Sequence, residues 1–202
     1  MISPRRDVTG TAVPAGDLVL MGPPGVGKGT QAKRLAQREG WLQLSTGDLF
    51  RDHLGRGSEF GQAAKAFIDS GSYVPDEVTI GMVHEWLAGL AEATRVMFDG
   101  FPRTMPQAEA LDAILAEGDR RIARVIVIDA PRDELVRRVL GRAHEQSRTD
   151  DSPELIGKRY DLYLEQTQPV IAHYDGRGLV RHVNGVGSID DVTRRLLEAS
   201  RA

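Results

Sequence analysis

Residues 18–30 read Leu-Val-Leu-Met-Gly-Pro-Pro-Gly-Val-Gly-Lys-Gly-Thr, a short apolar run that leads through a glycine-rich turn into a helical pattern. Glycines let the backbone curl so that successive amide groups point at one centre, and the helix N-terminus adds partial positive charge. Lys28 would reach the outer phosphates of a bound nucleotide. The general pattern has a hydroxyl residue directly after the lysine, whereas here Gly29 precedes Thr30. The stretch predicts a phosphate-binding loop for a nucleoside triphosphate.

Further short apolar runs, bounded by turn residues, alternate with longer helical patterns along the chain. This alternation is typical of parallel sheets with crossover helices. We therefore expect an α/β fold of the P-loop type, with three α/β/α layers around a five-stranded parallel sheet. The predicted strands are 18–21, 42–44, 95–98, 125–128 and 179–183. The predicted helices are 30–39, 76–90, 106–117, 132–140, 153–174 and 189–199.

The 202 residues have an ordinary globular composition, 41% hydrophobic and 27% charged, so we expect neither a disordered chain nor a membrane protein. Cysteine is absent, which excludes disulfides and thiolate zinc sites and leaves the cytoplasm as the default location. The net charge of −3 gives no general attraction to nucleic acid. Only four of the 26 basic residues are lysines; arginine suits bidentate phosphate contacts, although a GC-rich coding bias would equally produce this excess.

A carboxylate, Asp99, follows the predicted strand 95–98. A lone strand-end aspartate is more often a cap, but beside a phosphate loop this position favours Mg²⁺, with Asp99 acting through water and Thr30 as the second candidate ligand. The next residues, Gly-Phe-Pro-Arg at 100–103, form a rigid turn that would aim the guanidinium of Arg103 back at the strand ends. This segment predicts a second binding site for an anionic group.

Two stretches fit the sheet pattern poorly, 46–74 and 143–151, and both are interpreted as insertions over one face. Ligands of open α/β sheets lie beyond the carboxyl ends of the strands, where such insertions can cover them. Residues 1–16 contain two prolines, two glycines and no apolar stretch, and are interpreted as a flexible N-terminal extension.

Three motifs together resemble the adenylate kinases: Gly-Pro-Pro-Gly-Val-Gly-Lys-Gly-Thr-Gln at 22–31, Ser-Thr-Gly-Asp at 45–48 and Asp-Gly-Phe-Pro-Arg-Thr at 99–104. The resemblance extends from about residue 18 to the C-terminus, and in that family the order lysine, glycine, threonine is the normal form of the loop. It implies reversible transfer of a phosphoryl group, ATP + AMP = 2 ADP, with Mg²⁺ accompanying ATP. It also implies a monomer with a single kinase domain, 17–202, an insertion for the nucleoside monophosphate at about 45–74, and a short lid at about 142–151.

The same resemblance implies roles for individual residues. The implied ATP-binding residues are Gly25, Val26, Gly27, Lys28, Gly29, Thr30, Arg138, Arg142 and Gly187. The implied AMP-binding residues are Thr46, Arg51, Ser72, Tyr73, Val74, Gly100, Phe101, Pro102, Arg103, Gln107, Arg148 and Arg159. The implied catalytic residues are Lys28, Arg103, Arg138, Arg142, Arg148 and Arg159.

The chemistry implied needs no catalytic base, because a phosphate monoester with a second pKa near about 6 is already an anion at neutral pH. Positioning and electrostatic stabilisation must then carry the reaction. Long-lid relatives often hold zinc through cysteines, whereas here about ten residues separate Arg142 from Asp151 and cysteine is absent, which predicts a short lid without structural zinc. The five histidines are scattered and are interpreted as surface or structural residues.

Two alternatives stay open. A UMP or CMP kinase would share the loop, the 99–104 motif and the lid, and Thr46 argues against it because the pyrimidine relatives usually carry alanine at that point. A P-loop protein that binds nucleotide for regulation and no longer transfers phosphate is the second alternative; the nearly complete arginine set argues against it.

Overall fold

The computed structural model describes residues 16–91, 94–138 and 153–201. Its centre is a parallel five-stranded sheet in the order β2-β3-β1-β4-β5. The strands are β1 (Asp17–Met21), β2 (Leu42–Ser45), β3 (Val96–Asp99), β4 (Ile122–Asp129) and β5 (Val180–Asn184). Each predicted strand is confirmed to within three residues at either end.

Helices cover both faces of this sheet, as predicted. The helices of the described residues are α1 (Lys28–Glu39), α2 (Thr46–Gly55), α3 (Glu59–Asp69), α4 (Asp76–Ala88), α5 (Met105–Glu117), α6 (residues 132–138), α7 (Pro153–Leu162), α8 (Gln168–Asp175) and α9 (Ile189–Arg201). The predicted last residues of the fourth helix pattern, 139 and 140, lie outside the described residues.

Alternating residues of the strands supply two hydrophobic clusters, one on each face of the sheet. On one face Val19 and Phe98 pack with residues of α5 and α8. On the other face Leu20 and Ile126 pack with residues of α1 and α9. Both faces of a parallel sheet are buried in this way when crossover helices cover it. The predicted three-layer architecture is confirmed.

The amino ends of three strands are tied together by one buried ion pair. The carboxylate of Asp17 accepts two hydrogen bonds from Arg120, at 2.7 and 2.9 Å, and a third from the main-chain N–H of Val96 at 2.8 Å. Asp17 opens β1, Val96 opens β3, and Arg120 precedes β4. A carboxylate removed from water needs such paired donors. The opposite edge of the sheet, at the carboxyl ends, carries the candidate site.

The segment 46–74 is mostly helical, and its residues Phe50, Ala64 and Val74 form a small hydrophobic core with Met82 of α4. Its two helices begin at serine caps: Ser45 accepts from the N–H of Asp48, and Ser58 accepts from the N–H of Gly61. A Cβ atom on Gly61 would lie 2.4 Å from the carbonyl oxygen of His53, so glycine permits the close crossing of α2 and α3.

The predicted single helix 153–174 is wrong in one respect. The segment is helical throughout, but α7 and α8 are separated by a π turn, Tyr163–Thr167, in which the N–H of Gln168 bonds to the carbonyl of Tyr163. Pro169 follows this turn and has no N–H for a regular bond to the preceding turn, so the helix widens there. The wide turn faces the site described next.

Candidate active site

A cleft opens at the carboxyl ends of β1 and β3, and a smaller cavity adjoins it beneath α2 and α3. The glycine loop between β1 and α1 lines the cleft, together with Asp99. The smaller cavity brings together most of the predicted acceptor residues: Thr46, Arg51, Ser72, Tyr73, Val74, Gly100, Arg103, Gln107 and Arg159. Phe101 and Pro102, joined by a cis peptide bond, line the neighbouring cleft instead.

The glycine loop has the expected curled form. Gly22 has φ 141°, and a Cβ atom there would lie 2.5 Å from the carbonyl oxygen of Ile128, so only glycine lets the loop lie against β4. The Nζ of Lys28 donates to the carbonyl oxygens of Gly22 (2.6 Å) and Pro23 (2.9 Å). The ammonium group therefore lies over the loop. Of the predicted ATP-binding residues in the loop, Gly25, Gly27, Lys28, Gly29 and Thr30 line the cleft, whereas Val26 is buried in the core.

Asp99 ends β3 with its carboxylate beside the loop, since a Cβ atom on Gly29 would lie 3.7 Å from its Oδ2. The side chain is only 7% exposed. Burial raises the pKa of Asp99, while the charges of Lys28 and Arg103 and the hydrogen bond from Gln43 oppose this rise. The Nε2 of Gln43, on the neighbouring strand β2, donates to Oδ2 at 3.1 Å. A nearby cation would stabilise the ionised form of this buried carboxylate, and oxygen is the donor that Mg²⁺ takes.

Gly100 lies where the smaller cavity meets the carboxyl end of β3. Its φ is 80°, and a Cβ atom would lie 2.8 Å from Nη2 of Arg103 and 2.9 Å from Oγ1 of Thr46. Its carbonyl oxygen accepts from Nε of Arg103 (2.7 Å) and from the hydroxyl of Thr46 (3.0 Å). Because the Thr46 proton is used in this bond, the hydroxyl oxygen can only accept from a ligand.

Gln107 lies at the first turn of α5 and is buried. Its Oε1 accepts from the main-chain N–H of Arg103 at 2.8 Å, and its Nε2 donates to Oδ1 of Asp76 at 2.7 Å. The amide keeps one further donor and one further acceptor position, which together match the edge of an adenine ring. The predicted contact with the base is compatible with this geometry, and Gln107 in addition anchors the turn that carries Arg103.

Arg51 projects from α2 and pairs with Asp48 at 2.5 Å. Burial would raise the pKa of Asp48, but the hydrogen bond and charge of Arg51 outweigh it, and the pKa lies below its usual value. Three arginines line both the cleft and the smaller cavity: Arg51, Arg103 and Arg159. The positive charge is therefore concentrated where the two spaces join.

Arg138, on α6, lies across two loops rather than inside the cleft. It donates to Glu134 (2.7 Å), to the carbonyl oxygen of Val26 in the glycine loop (3.2 Å) and to that of Gly185 after β5 (2.9 Å). The loop after β5 also carries Gly187, a predicted ATP-binding residue. Gly187 is not one of the described residues that line the cleft. Arg142 and Arg148, predicted to reach the phosphates, lie outside the described residues, as does the predicted lid.

Sequence reasoning missed several residues of the cleft. Tyr163 is buried and also lines the cleft, and Thr167 lines it one helical turn later. Both follow Arg159 at intervals of four residues, a spacing that places side chains on one helix face and could have indicated them. Burial raises the pKa of Tyr163 to about 12. Gln43, the partner of Asp99, carried no signal, because its contact requires that β2 pair with β3.

Within the three described ranges, no group of three or more histidine, aspartate or glutamate side chains could hold a metal ion. The described helices include none that is both long and apolar enough to cross a lipid bilayer. Trp41 is buried against α1 and β3, and Trp86 packs on the core at α4.

Comparisons with known proteins connect this geometry to a family. A family model described as adenylate kinase matches residues 20–179, a span that includes every residue of the cleft and the smaller cavity. An adenylate kinase of Thermus thermophilus is 44% identical over 182 residues, which are 90% of this chain and 95% of that protein. An adenylate kinase of Deinococcus deserti is 46% identical over 187 residues (90% and 94%), and one of Micrococcus luteus is 48% identical over 182 residues (90% and 89%).

Proposed function

Because the chain belongs to the adenylate kinase family, we propose that it transfers the terminal phosphoryl group of ATP directly to AMP, giving two molecules of ADP. It is a phosphotransferase whose acceptor is a phosphate group. One observation carries the assignment of roles: Arg51, Arg103 and Arg159 line both the glycine-loop cleft and the adjoining cavity. A donor in the cleft and an acceptor in the cavity would meet at these three arginines.

The residues supply electrostatics rather than proton transfer. The phosphate of AMP is already anionic near neutral pH, so the obstacle is the repulsion between two polyanions. Preorganised cations at the junction lower this repulsion and stabilise the charge on the group in transfer. Guanidinium groups fit this task because their planar fork contacts two phosphate oxygens at once. Lys28 and the amide groups of the glycine loop would bind the donor phosphates, and Arg138 would brace the loop from outside.

Mg²⁺ fits the donor set at the cleft. Asp99 and Thr30 offer oxygen atoms on either side of the glycine loop, and the buried Asp99 carboxylate gains most from a nearby cation. When bound with ATP, Mg²⁺ neutralises part of the phosphate charge. Gln43 orients the carboxylate of Asp99 through its hydrogen bond to Oδ2.

Adenine is the acceptor base that the smaller cavity favours. Gln107 offers one donor and one acceptor to the base edge, and the hydroxyl oxygen of Thr46 offers an acceptor only, which suits the amino group of adenine. Val74 and Phe50 give the cavity apolar walls. A pyrimidine kinase remains the second candidate, and replacement of Thr46 by alanine is the change that tests it.

The domain organisation belongs to the same proposal. Residues 17–202 form one kinase domain, with an insertion for the monophosphate at about 45–74, a short zinc-free lid at about 142–151 and an N-terminal extension at 1–16. We further propose a cytoplasmic monomer whose partners are ATP, AMP and ADP rather than nucleic acid or membranes.

The test is steady-state formation of ADP from MgATP with AMP, UMP, CMP or GMP as acceptor. An Arg103→Ala variant should lose about 10³-fold or more in kcat, the scale of arginine contacts in other phosphoryl-transfer enzymes. Arg56→Ala is the control, because Arg56 directly follows α2 and its side chain pairs with Asp52 on the exposed surface of that helix. Activity with AMP that collapses in Arg103→Ala alone supports the proposal.

Other outcomes favour the alternatives. Preference for UMP or CMP would assign the chain to the pyrimidine kinases. An acceptor preference that Thr46→Ala leaves unchanged would remove Thr46 from the argument for adenine. No ADP formation with any acceptor, together with retained ATP binding, would favour a regulatory nucleotide-binding protein.

A further inference from the structure

A buried hydroxyl group connects the smaller cavity to the helical segment that follows the predicted lid. Thr167, the last residue of the π turn, is 5% exposed, and its Oγ1 donates to the carbonyl oxygen of Arg103 at 2.9 Å. The same Oγ1 lies 3.1 Å from the hydroxyl of Tyr73, in the loop between α3 and α4. A threonine hydroxyl has one proton, which goes to Arg103, so Tyr73 must donate in the second bond. A directed chain thus runs from Tyr73 through Thr167 to Arg103.

The ring of Tyr73 also contacts the side chain at the end of this chain. The guanidinium carbon of Arg103 lies 5.2 Å from the ring centroid, within the range of a cation–π contact. Nε of the same guanidinium donates to the carbonyl oxygen of Gly100. Tyr73 therefore fixes one face of the guanidinium, while the hydroxyl chain fixes the main chain of the same arginine. The resemblance implied that Tyr73 belongs to the AMP-binding residues.

We propose that Thr167 is a positioning residue for the acceptor phosphate. It orients Tyr73 and Arg103 together, so that the guanidinium is aimed before AMP arrives. The inference rests on the proposed function, because AMP is the substrate whose phosphate Arg103 would contact. Thr167 itself acts through the two residues it bonds.

A purely structural role for Thr167 would be to dock the loop between α3 and α4, but a separate contact already does so. The Nζ of Lys158, on α7, donates to the carbonyl oxygen of Ser70 and to the hydroxyl of Ser72, each at 2.9 Å. The same two segments therefore remain connected when Thr167 loses its hydroxyl. Thr167 adds the bond to Arg103. Loss of its hydroxyl should therefore weaken the binding of AMP and leave the binding of MgATP almost unchanged.

The experiment compares four single variants and one double variant of the full chain in ADP formation, with AMP and MgATP varied separately. Thr167→Val removes both hydrogen bonds at nearly constant volume, Thr167→Ser keeps them, and Tyr73→Phe keeps the ring but removes the hydroxyl. Thr193→Val is the matched control. Thr193 is fully buried, and its hydroxyl also bonds to a main-chain carbonyl, that of Ile189, and to a second side chain, Gln31, away from the cleft.

Thr167→Val should raise KM for AMP about tenfold while changing KM for MgATP less than about twofold, the pattern expected when an acceptor-binding group is misplaced. Thr167→Ser should restore the wild-type value. Tyr73→Phe should show part of the loss, and its combination with Thr167→Val should add little, because both remove the same bond. Calorimetric titration with AMP should show the same order of affinities.

The inference is overturned if Thr167→Val behaves like Thr193→Val, or if it changes KM for both substrates equally, since either result would indicate general destabilisation. Failure of Thr167→Ser to restore the value would likewise overturn it. A wild-type protein that makes no ADP from ATP and AMP would overturn the proposed function and this inference with it. If the wild-type protein is active with AMP and Thr167→Val leaves KM for AMP unchanged, only the inference is overturned and the proposed function stands.

Discussion

The main-chain N–H of Arg103 donates to Oε1 of Gln107 at 2.8 Å, so the side chain proposed to contact the acceptor base also holds the turn that carries Arg103, the arginine proposed to bind phosphate. The other end of the amide, Nε2, donates to Asp76 at 2.7 Å. Base recognition and phosphate recognition are therefore coupled through one buried amide, whose loss or change should affect both.

Gln107→Glu should raise KM for AMP about tenfold or more at pH 8, because it places a second carboxylate against Asp76 in a buried site. The loss should shrink at pH 5.5, where the carboxyl pair can take up a proton. KM for AMP measured at the two pH values checks this. Gln62→Glu is the control, since Gln62 on exposed α3 bonds only to the carbonyl oxygen of Gly57. A loss of equal size at both pH values would contradict the electrostatic cause.

Arg138→Lys should raise KM for MgATP by about tenfold with little change in KM for AMP. Lysine cannot reproduce the planar fork that contacts both Val26 and Gly185, so the glycine loop and the loop after β5 would lose their common brace. Arg137→Lys is the matched control: Arg137 bonds to the same Glu134, but its side chain is 75% exposed. Equal effects of the two variants would show that Glu134, and not the two loops, makes Arg138 important.

Asp99→Asn should lower kcat by about 10²-fold or more and, in the absence of nucleotide, raise Tm. Burial raises the pKa of Asp99, so the folded state binds its proton more strongly than the unfolded state does. The stability that this group contributes is then lost as pH rises through its folded pKa, so burial of this carboxyl group opposes folding at neutral pH. Asparagine removes that cost.

Thermal unfolding with and without MgATP, together with steady-state kinetics, tests whether Asp99 supports turnover while it lowers stability. Asp129→Asn is the control, because Asp129 also ends a strand but is half exposed and pairs with His182. A fall in Tm of Asp99→Asn without nucleotide would contradict the explanation.

Two of the four tyrosines should ionise only with unfolding. Burial raises the pKa of Tyr163 from 10.0 to about 12, and burial also raises the pKa of Tyr174. Between about pH 10 and about pH 12 the unfolded chain releases protons that the folded chain retains, so stability should fall as pH rises above about 10. Absorbance at 295 nm during alkaline titration, compared with circular dichroism, measures this. Ionisation of all four tyrosines before unfolding would refute it.

Tyr174→Phe offers a further check at neutral pH. The hydroxyl of Tyr174 is fully buried and has no hydrogen-bond partner among the described residues. Its removal should therefore leave stability unchanged or raise it by about 1 kcal/mol, whereas deleting a bonded hydroxyl usually costs that amount. Chemical denaturation of the variant decides between the two.

Periodicity and turn residues were enough to predict the sheet, because each buried strand is a short apolar run between breakers. One error lies at a polar residue: β1 begins at Asp17, which the pattern left out, since its burial depends on an ion pair with Arg120, 103 residues away. The π turn was missed because the apolar spacing of the helix is regular on both sides of it.

The site followed the same rule. Motif residues that contact a ligand through fixed spacing, such as Lys28 and Arg103, were predicted and lie at the cleft. The partners of predicted residues were not predicted: Asp76 accepts from Gln107, and Gln43 donates to Asp99. Thr167 was absent from the predictions because its role requires Tyr73 and Arg103, which are 94 and 64 residues distant.

The carboxylate of Asp17 also has a consequence for synthesis of the chain. Its partners, Val96 and Arg120, leave the ribosome about 80 to 100 residues later, which at about 5–20 residues per second is a delay on the order of 5 to 20 seconds. Until β3 emerges, β1, an apolar strand that ends in the glycine loop, has neither of its neighbours in the sheet. The earliest part of the nucleotide site to be translated is thus among the last to acquire its shape, and this is the segment that a chaperone would most usefully shield.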